Sequence, residues 1–261
     1  MPILEGRRLV KLFPGKRKVN PFQREKFAAL DDITLYLEEG KTLGIVGESG
    51  SGKSTLGEIL GGLQRPSSGI VLYEGRDIYS LSREQFRDYR KNVQFVFQNP
   101  KDSMNPFFTV RKVLFEPMQI MLEIKDKAVL EEKEALMLEK VGLSVDVMDK
   151  YPSELSGGQC QRVDIARALL LNPKVMILDE AVASLDVSVE SQILNLLRSL
   201  QDEFGTSYIF ISHDIGVIRY MSDDVFVMLK GKLVEKGPVD QVIFHPREEY
   251  TKRLVNGGEE V

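Results

Sequence analysis

The chain has 261 residues, 35 basic and 39 acidic side chains, a formal net charge of −4 and one cysteine, Cys160. That mild acidity gives no support for non-specific nucleic-acid binding, and a lone cysteine excludes a disulfide framework or a cysteine-rich metal site within one chain. The length buries a real core, as one large domain or a core with lobes. No run of about eighteen uncharged apolar residues and no signal-peptide core is present, so the expectation is a cytosolic chain.

In chain order, residues 9–13 and 33–37 read as short strands, the second alternating apolar and polar before the Glu39-Gly40 turn. Between them 14–24 carries Pro, Gly and charge and reads as a loop. Arg7, Arg8, Lys11, Lys16, Arg17, Lys18 and Arg24 form the one local basic excess, either a solvated loop or a contact for phosphate or lipid headgroups. Residues 42–46 are a short apolar run leading into glycines, and 53–63 has helical apolar spacing through Leu56, Ile59, Leu60 and Leu63. Residues 93–97 suit a buried strand. From 110 to 141 the pattern is helical, an insertion whose methionines serve packing. The parallel-sheet signature returns at 175–178 and 208–211. Residues 225–229, the Lys230-Gly231 turn and 232–235 then read as a hairpin, and the tail from Val239 reads as helix ending in frayed polar residues.

Gly47-Glu48-Ser49-Gly50-Ser51-Gly52-Lys53-Ser54 fits the phosphate-loop pattern, with Thr55 following on the first helical turn. The glycines let backbone N–H groups converge on phosphate, and the helix that follows adds its N-terminal partial positive charge. Lys53 would reach the β- and γ-phosphates of ATP and Ser54 would coordinate Mg²⁺. Asp179 ends an apolar strand, where a carboxylate can hold Mg²⁺ through water. Glu180 follows it and, pointing the other way, would orient the attacking water. About twenty residues upstream stands Leu155-Ser156-Gly157-Gly158-Gln159, in which a hydroxyl, two exposed glycine amides and a new helix make a second anion-binding N-terminus.

With these residues in place the chain resembles the ATP-binding subunits of ABC transporters over nearly its whole length. The resemblance makes residues 155–159 the family's signature motif and Gln98 its Q-loop glutamine, which touches Mg²⁺ and the water. It makes Ser184-Leu185-Asp186 the D-loop, His213 the switch histidine and Phe13 the aromatic residue that stacks on adenine; Phe13 could equally be core. It implies an α/β fold: a P-loop NTPase nucleotide-binding domain with a mainly parallel core sheet, an N-terminal antiparallel β subdomain and an inserted α-helical subdomain. The expected boundaries are about 1–98 and 167–240 for the β subdomain and RecA-like core, 99–166 for the helical subdomain, and 241–261 for a helical tail. The signature of one subunit closes on the phosphate loop of another, so Lys53 and Glu180 would form half of a site. Ser156, Gly157, Gly158, Gln159 and Asp186 would serve the nucleotide of the neighbour.

The stretch from Phe97-Gln98-Asn99-Pro100 to Ser103-Met104-Asn105-Pro106 is similar to FQDPxxSLNP of the peptide/nickel importer branch. That likeness implies a second ATPase subunit, in a heterodimer or a homodimer, two transmembrane permease subunits, an extracytoplasmic solute-binding protein and a place on the cytoplasmic face of the membrane. Ala181-Val182, where the wider family has Pro-Thr, and the short tail without clustered cysteines lean towards nickel or metal-chelate uptake over peptide uptake. An exporter ATPase and a soluble, non-transport ABC protein are the alternatives. Cys160, at a position that tolerates several residue types, is expected to be structural.

Overall fold

The computed structural model describes residues 2–17, 24–183 and 185–256. Contacts group them into two compact units, Met1–Tyr89 with Ser207–Val261, and Arg90–Thr206. This grouping follows packing alone and differs from the subdomain boundaries that the family resemblance implies.

In the first unit, β1 (Leu4–Arg17) and β2 (Arg24–Leu37) form a long antiparallel ribbon, with β4 (Ser68–Tyr73) on the other side of β1 and β5 (Arg76–Asp77) beyond it. The ribbon corrects the ends of the expected loop over 14–24: β1 continues through Arg17 and β2 begins at Arg24, while residues 18–23, with Lys18, lie outside the described set. Register shifts after Gly6 and Leu9 twist it, and Arg8 and Asp32 take positive φ there. Its inner face is apolar, with Leu4, Leu9, Leu30, Ile33, Leu35 and Leu37 buried.

A second sheet in the same unit centres on β3 (Thr42–Val46), which runs parallel to β8 (Ser207–Ser212) and to β9 (Asp224–Leu229). All five residues of β3 and all six of β8 are buried, the continuous apolar pattern of a strand covered on both faces. β10 (Lys232–Pro238) returns antiparallel to β9 through Lys230 and Gly231, both at positive φ, as a tight hairpin demands. Helix α1 (Lys53–Leu60) packs Leu56, Ile59 and Leu60 against strands of both sheets, each fully buried side chain adding about 1.5–3 kcal/mol. Helix α2 (Arg83–Asn92) ends this part of the chain, with Tyr89 its one buried residue.

In the second unit β6 (Val93–Val96) pairs parallel with β7 (Val175–Asp179). Between them come α3 (Pro100–Ser103), α4 (Val110–Met121), α5 (Lys127–Lys140) and α6 (Gly157–Leu169), and α7 (Val187–Phe204) follows β7. The helical run expected over 110–141 is divided: Glu123 takes positive φ and Asp126 accepts from the Ala128 N–H to start α5. Helix α6 is central and packs on α3, α4, α5 and α7 through Cys160, Val163, Ile165, Ala166 and Leu169. The buried Cys160 thiol donates to the Pro152 carbonyl at 3.4 Å and has a structural place.

The chain closes with α8 (Ile215–Met221), α9 (Val239–Phe244) and α10 (Glu249–Val255) in the first unit. Among the described residues no helix is long and apolar enough to cross a membrane.

Candidate functional site

The phosphate loop lies where the sequence places it, between β3 and α1. Two of its glycines are obligatory. Gly47 has φ 155° and a Cβ there would stand 2.1 Å from the Met228 carbonyl oxygen; Gly52 has φ 104° and a Cβ would stand 2.4 Å from that of Ala29. The loop is therefore wrapped by the backbones of β9 and β2. The Gly231 N–H, at the hairpin turn, donates to the Ser51 carbonyl at 2.9 Å.

Lys53 is only 4% exposed, and its ammonium donates to the carbonyls of Gly47 at 2.7 Å and Glu48 at 2.9 Å. Helix α1 begins with no side-chain cap and no acid in its first turn. Ser51 Oγ is buried without a hydrogen-bond partner among the described residues. A buried ammonium, an orphaned hydroxyl and an uncapped helix N-terminus together fit an anionic phosphate chain. Glu48, Ser49, Gly50 and Ser54 are exposed along the loop and Thr55 is half-buried. Ser54, Asp179 and Gln98 carry oxygen donors, the kind that Mg²⁺ takes.

Strand ends set the remaining positions. Val46 and Ser212 are neighbours in register on β3 and β8, so Gly47 and His213 leave the sheet side by side. His213 is exposed, and Asp214 after it accepts from the Gly216 and Val217 N–H groups to start α8. In the second unit Val96 pairs with Leu178, which brings Gln98 and Glu180 out at the same end of two parallel strands. They meet: Gln98 Nε2 donates to Glu180 Oε2 at 2.8 Å. Asp179 closes β7 and is 8% exposed. Glu180 is not a further strand residue but sits at φ 47°, so a left-handed turn, not strand alternation, separates the two carboxylates. A positive φ is uncommon for a non-glycine residue, and here it sets the direction in which the chain leaves β7.

The signature residues form the start of α6. Ser156 is its N-cap; its hydroxyl accepts from the Gln159 N–H at 3.3 Å, and Gln159 Oε1 accepts from the Ser156 N–H at 3.0 Å. This reciprocal capping box leaves Ser156 and Gly157 exposed. A Cβ on Gly158 would come 2.6 Å from Val189 Cγ1, so this glycine lets α7 approach the first turn. Asp186 is the exposed N-cap residue of α7, and Ser184 lies outside the described residues.

Phe13, half-buried on β1, stands opposite Phe27 on β2, with the Lys11 ammonium 5.2 Å from its ring centroid. Phe27 is 59% exposed and two residues from Ala29, the strand residue that touches Gly52. Sequence reading passed over Phe27, although its aromatic character beside Phe13's strand was visible. It also passed over Tyr250, whose hydroxyl reaches the loop at Glu48, and over Asp164 of α6, which is buried against Arg167 and Ser103.

Residues 30–183 match the family model described as ABC transporter. The chain is 44% identical to the dipeptide transport ATP-binding protein DppF of Haemophilus influenzae, covering 98% of this chain and 77% of that one. It is 44% identical to the oligopeptide transport ATP-binding protein AppF of Bacillus subtilis, covering 97% and 77%. Among solved structures it is similar to the ATP-binding cassette MJ0796, in a dimeric post-hydrolysis state bound to ADP and Pi (27% identity, TM-score 0.80, 90% and 98% covered). It is also similar to cbiO1 of Clostridium perfringens, part of the ABC transporter complex cbiONQ (30% identity, TM-score 0.77, 94% and 91% covered).

Proposed function

The chain belongs to the ABC transporter family, as an ATP-binding ATPase of that family, and we propose that it drives uptake of short peptides by closing over ATP against a second ATP-binding subunit. The observation that carries the chemistry is the hydrogen bond from Gln98 to Glu180. A carboxylate fixed by one amide donor is oriented before water arrives, as a general base must be. Glu180 then takes the proton of the attacking water.

Lys53 exchanges its loop carbonyls for the β- and γ-phosphates. By the family resemblance Ser54, Gln98 and Asp179 would hold Mg²⁺, which would neutralise charge on those phosphates. His213, leaving the sheet beside Gly47, answers to the γ-phosphate, and Phe13 stacks on adenine. Ser156, Gly157, Gly158 and Gln159, with Asp186, serve the γ-phosphate held by the other subunit. Closure is a two-state element biased by those contacts, and hydrolysis releases it.

The relatives' printed roles, dipeptide and oligopeptide transport, support peptides as cargo over the nickel or metal-chelate reading. Uptake in preference to export rests on the resemblance of residues 97–106 to the importer branch. The assembly then comprises this chain, a different or identical ATPase subunit, two permease subunits and a solute-binding protein, with this chain on the cytoplasmic face.

Glu180→Gln tests the mechanism. Turnover is expected to fall about 10²–10⁴-fold while an ATP-bound dimer accumulates on size-exclusion chromatography. A variant that binds ATP yet stays monomeric beside its partner subunit would sink the sandwich. For the cargo, the reconstituted transporter should hydrolyse ATP faster with peptide-loaded than with nickel-loaded binding protein; the opposite result returns the cargo to metal.

A further inference from the structure

The C-terminal helix touches the phosphate loop directly. The Glu48 backbone N–H donates to Tyr250 Oη at 3.1 Å, across 202 residues of sequence, and Tyr250 is 8% exposed. That N–H belongs to the same peptide plane as the Gly47 carbonyl, which accepts from the Lys53 ammonium at 2.7 Å. A peptide group is rigid and planar, so fixing both of its ends fixes the turn by which β3 enters the loop. Tyr250, the Gly47-Glu48 peptide and Lys53 thus form one chain of contacts from α10 to the phosphate-binding ammonium.

Helix α10 is itself held. The Glu235 carboxylate on β10 accepts from the Arg247 N–H at 2.9 Å and from the Glu248 N–H at 3.2 Å, and α10 packs on α9 and β10. Strand β10 pairs with β9, which flanks β3. The brace is therefore referenced to the same sheet that carries the loop. Burial pushes the Tyr250 phenol up, so its neutral oxygen persists as an acceptor throughout the physiological range.

We propose that Tyr250 is a positioning residue for nucleotide binding: its hydroxyl sets the Gly47-Glu48 peptide, and through it Lys53, in phosphate-binding geometry. The C-terminal segment is by this account a working part of the nucleotide site. The proposal rests on the reading that ATP is held at this loop.

The test uses the full chain, titrated with a fluorescent ATP analogue and melted in parallel. Tyr250→Phe keeps the ring and removes one oxygen. Nucleotide affinity is expected to fall about five- to tenfold, the scale of a backbone donor left without its acceptor, with KM for ATP rising alongside and kcat unchanged. Val242→Ala, buried in α9 on which α10 packs, is expected to lower thermal stability and leave affinity within about twofold. Glu235→Gln loosens the helix, so it should weaken binding in the wild-type background and add nothing to Tyr250→Phe. The proposal is overturned if Tyr250→Phe binds within about twofold of wild type, or if Val242→Ala matches it, since α10 then acts only by packing. A wild-type chain that fails to bind the analogue overturns the phosphate-loop reading and the brace together; wild-type binding with unaltered Tyr250→Phe binding removes the brace alone.

Discussion

In the proposed mechanism helices α1 and α6 each offer an N-terminus to an anion, and the two are finished in opposite ways. At α1 the N-cap is Gly52, in left-handed conformation without a side-chain cap, and the Ser51 hydroxyl beside it is buried without a partner among the described residues. At α6 the N-cap Ser156 and Gln159 satisfy each other in a capping box. On the proposed sandwich, phosphate completes the first terminus, and the second stands alone between encounters because its nucleotide would arrive with another chain. Incompleteness would then mark the end that binds, and self-sufficiency the end that is lent.

Lys53→Ala strikes the incomplete end. It should weaken ATP binding by about 10³-fold, the scale of removing one partner of a buried charge pair, as read by nucleotide titration; near-normal affinity would break the contrast. Asp164→Ala strikes the scaffold of the self-sufficient end. Asp164 is fully buried, 2.5 Å from Arg167 Nη2 and 3.2 Å from Ser103 Oγ. Its loss should cost about 3 kcal/mol in urea unfolding, the low end for a broken buried pair because Arg167 keeps some solvent contact, with monomer affinity for ATP retained.

Glu134 on α5 gives a pH handle on the same unit. Burial, opposed by Arg111, pushes its carboxyl up to about 7. The native state therefore keeps this proton longer than the unfolded chain. The stability it contributes is full below the ordinary carboxyl value of 4.5 and is lost as pH rises through about 7. Glu134→Gln should raise the melting temperature above about pH 7 and leave it unchanged below about pH 4.5. The smallest effect belongs to Ser156→Ala, about 1 kcal/mol for a lost N-cap, with ATP-driven dimerisation weakened and monomer binding intact. Equal loss of monomer binding would show that the two termini are not separate in function.

What could be read from sequence followed physical signal. Strand β3 was legible because five buried residues run straight into glycines, and the β9–β10 hairpin because Lys230-Gly231 suits its turn. Helix α2 was not, since eight of its ten residues are charged or polar, and Phe86 and Tyr89 alone are too few to show a helical apolar period. The extension of β1 and β2 was hidden by Pro14 and by charges that suit a solvated ribbon as well as a loop. The phosphate loop, Asp179, Glu180 and the signature turn are local patterns and were visible. The Glu180 backbone angle and the Tyr250 contact were not, because one depends on how the chain turns out of β7 and the other joins distant parts of the chain.

The tip of the β9–β10 hairpin bears on engineering. Two residues at a tight turn would ordinarily be chosen to receive an epitope tag or a fused domain. Here the Gly231 N–H is bound to Ser51 of the phosphate loop and its carbonyl to the Asp31 N–H of β2, while a Cβ on Gly231 would press on the Ala29 carbonyl at 2.9 Å. An insertion at that tip would detach a clasp joining the phosphate-binding loop to the strand that carries Phe27. Labels belong elsewhere, and a biosensor meant to report nucleotide occupancy belongs there.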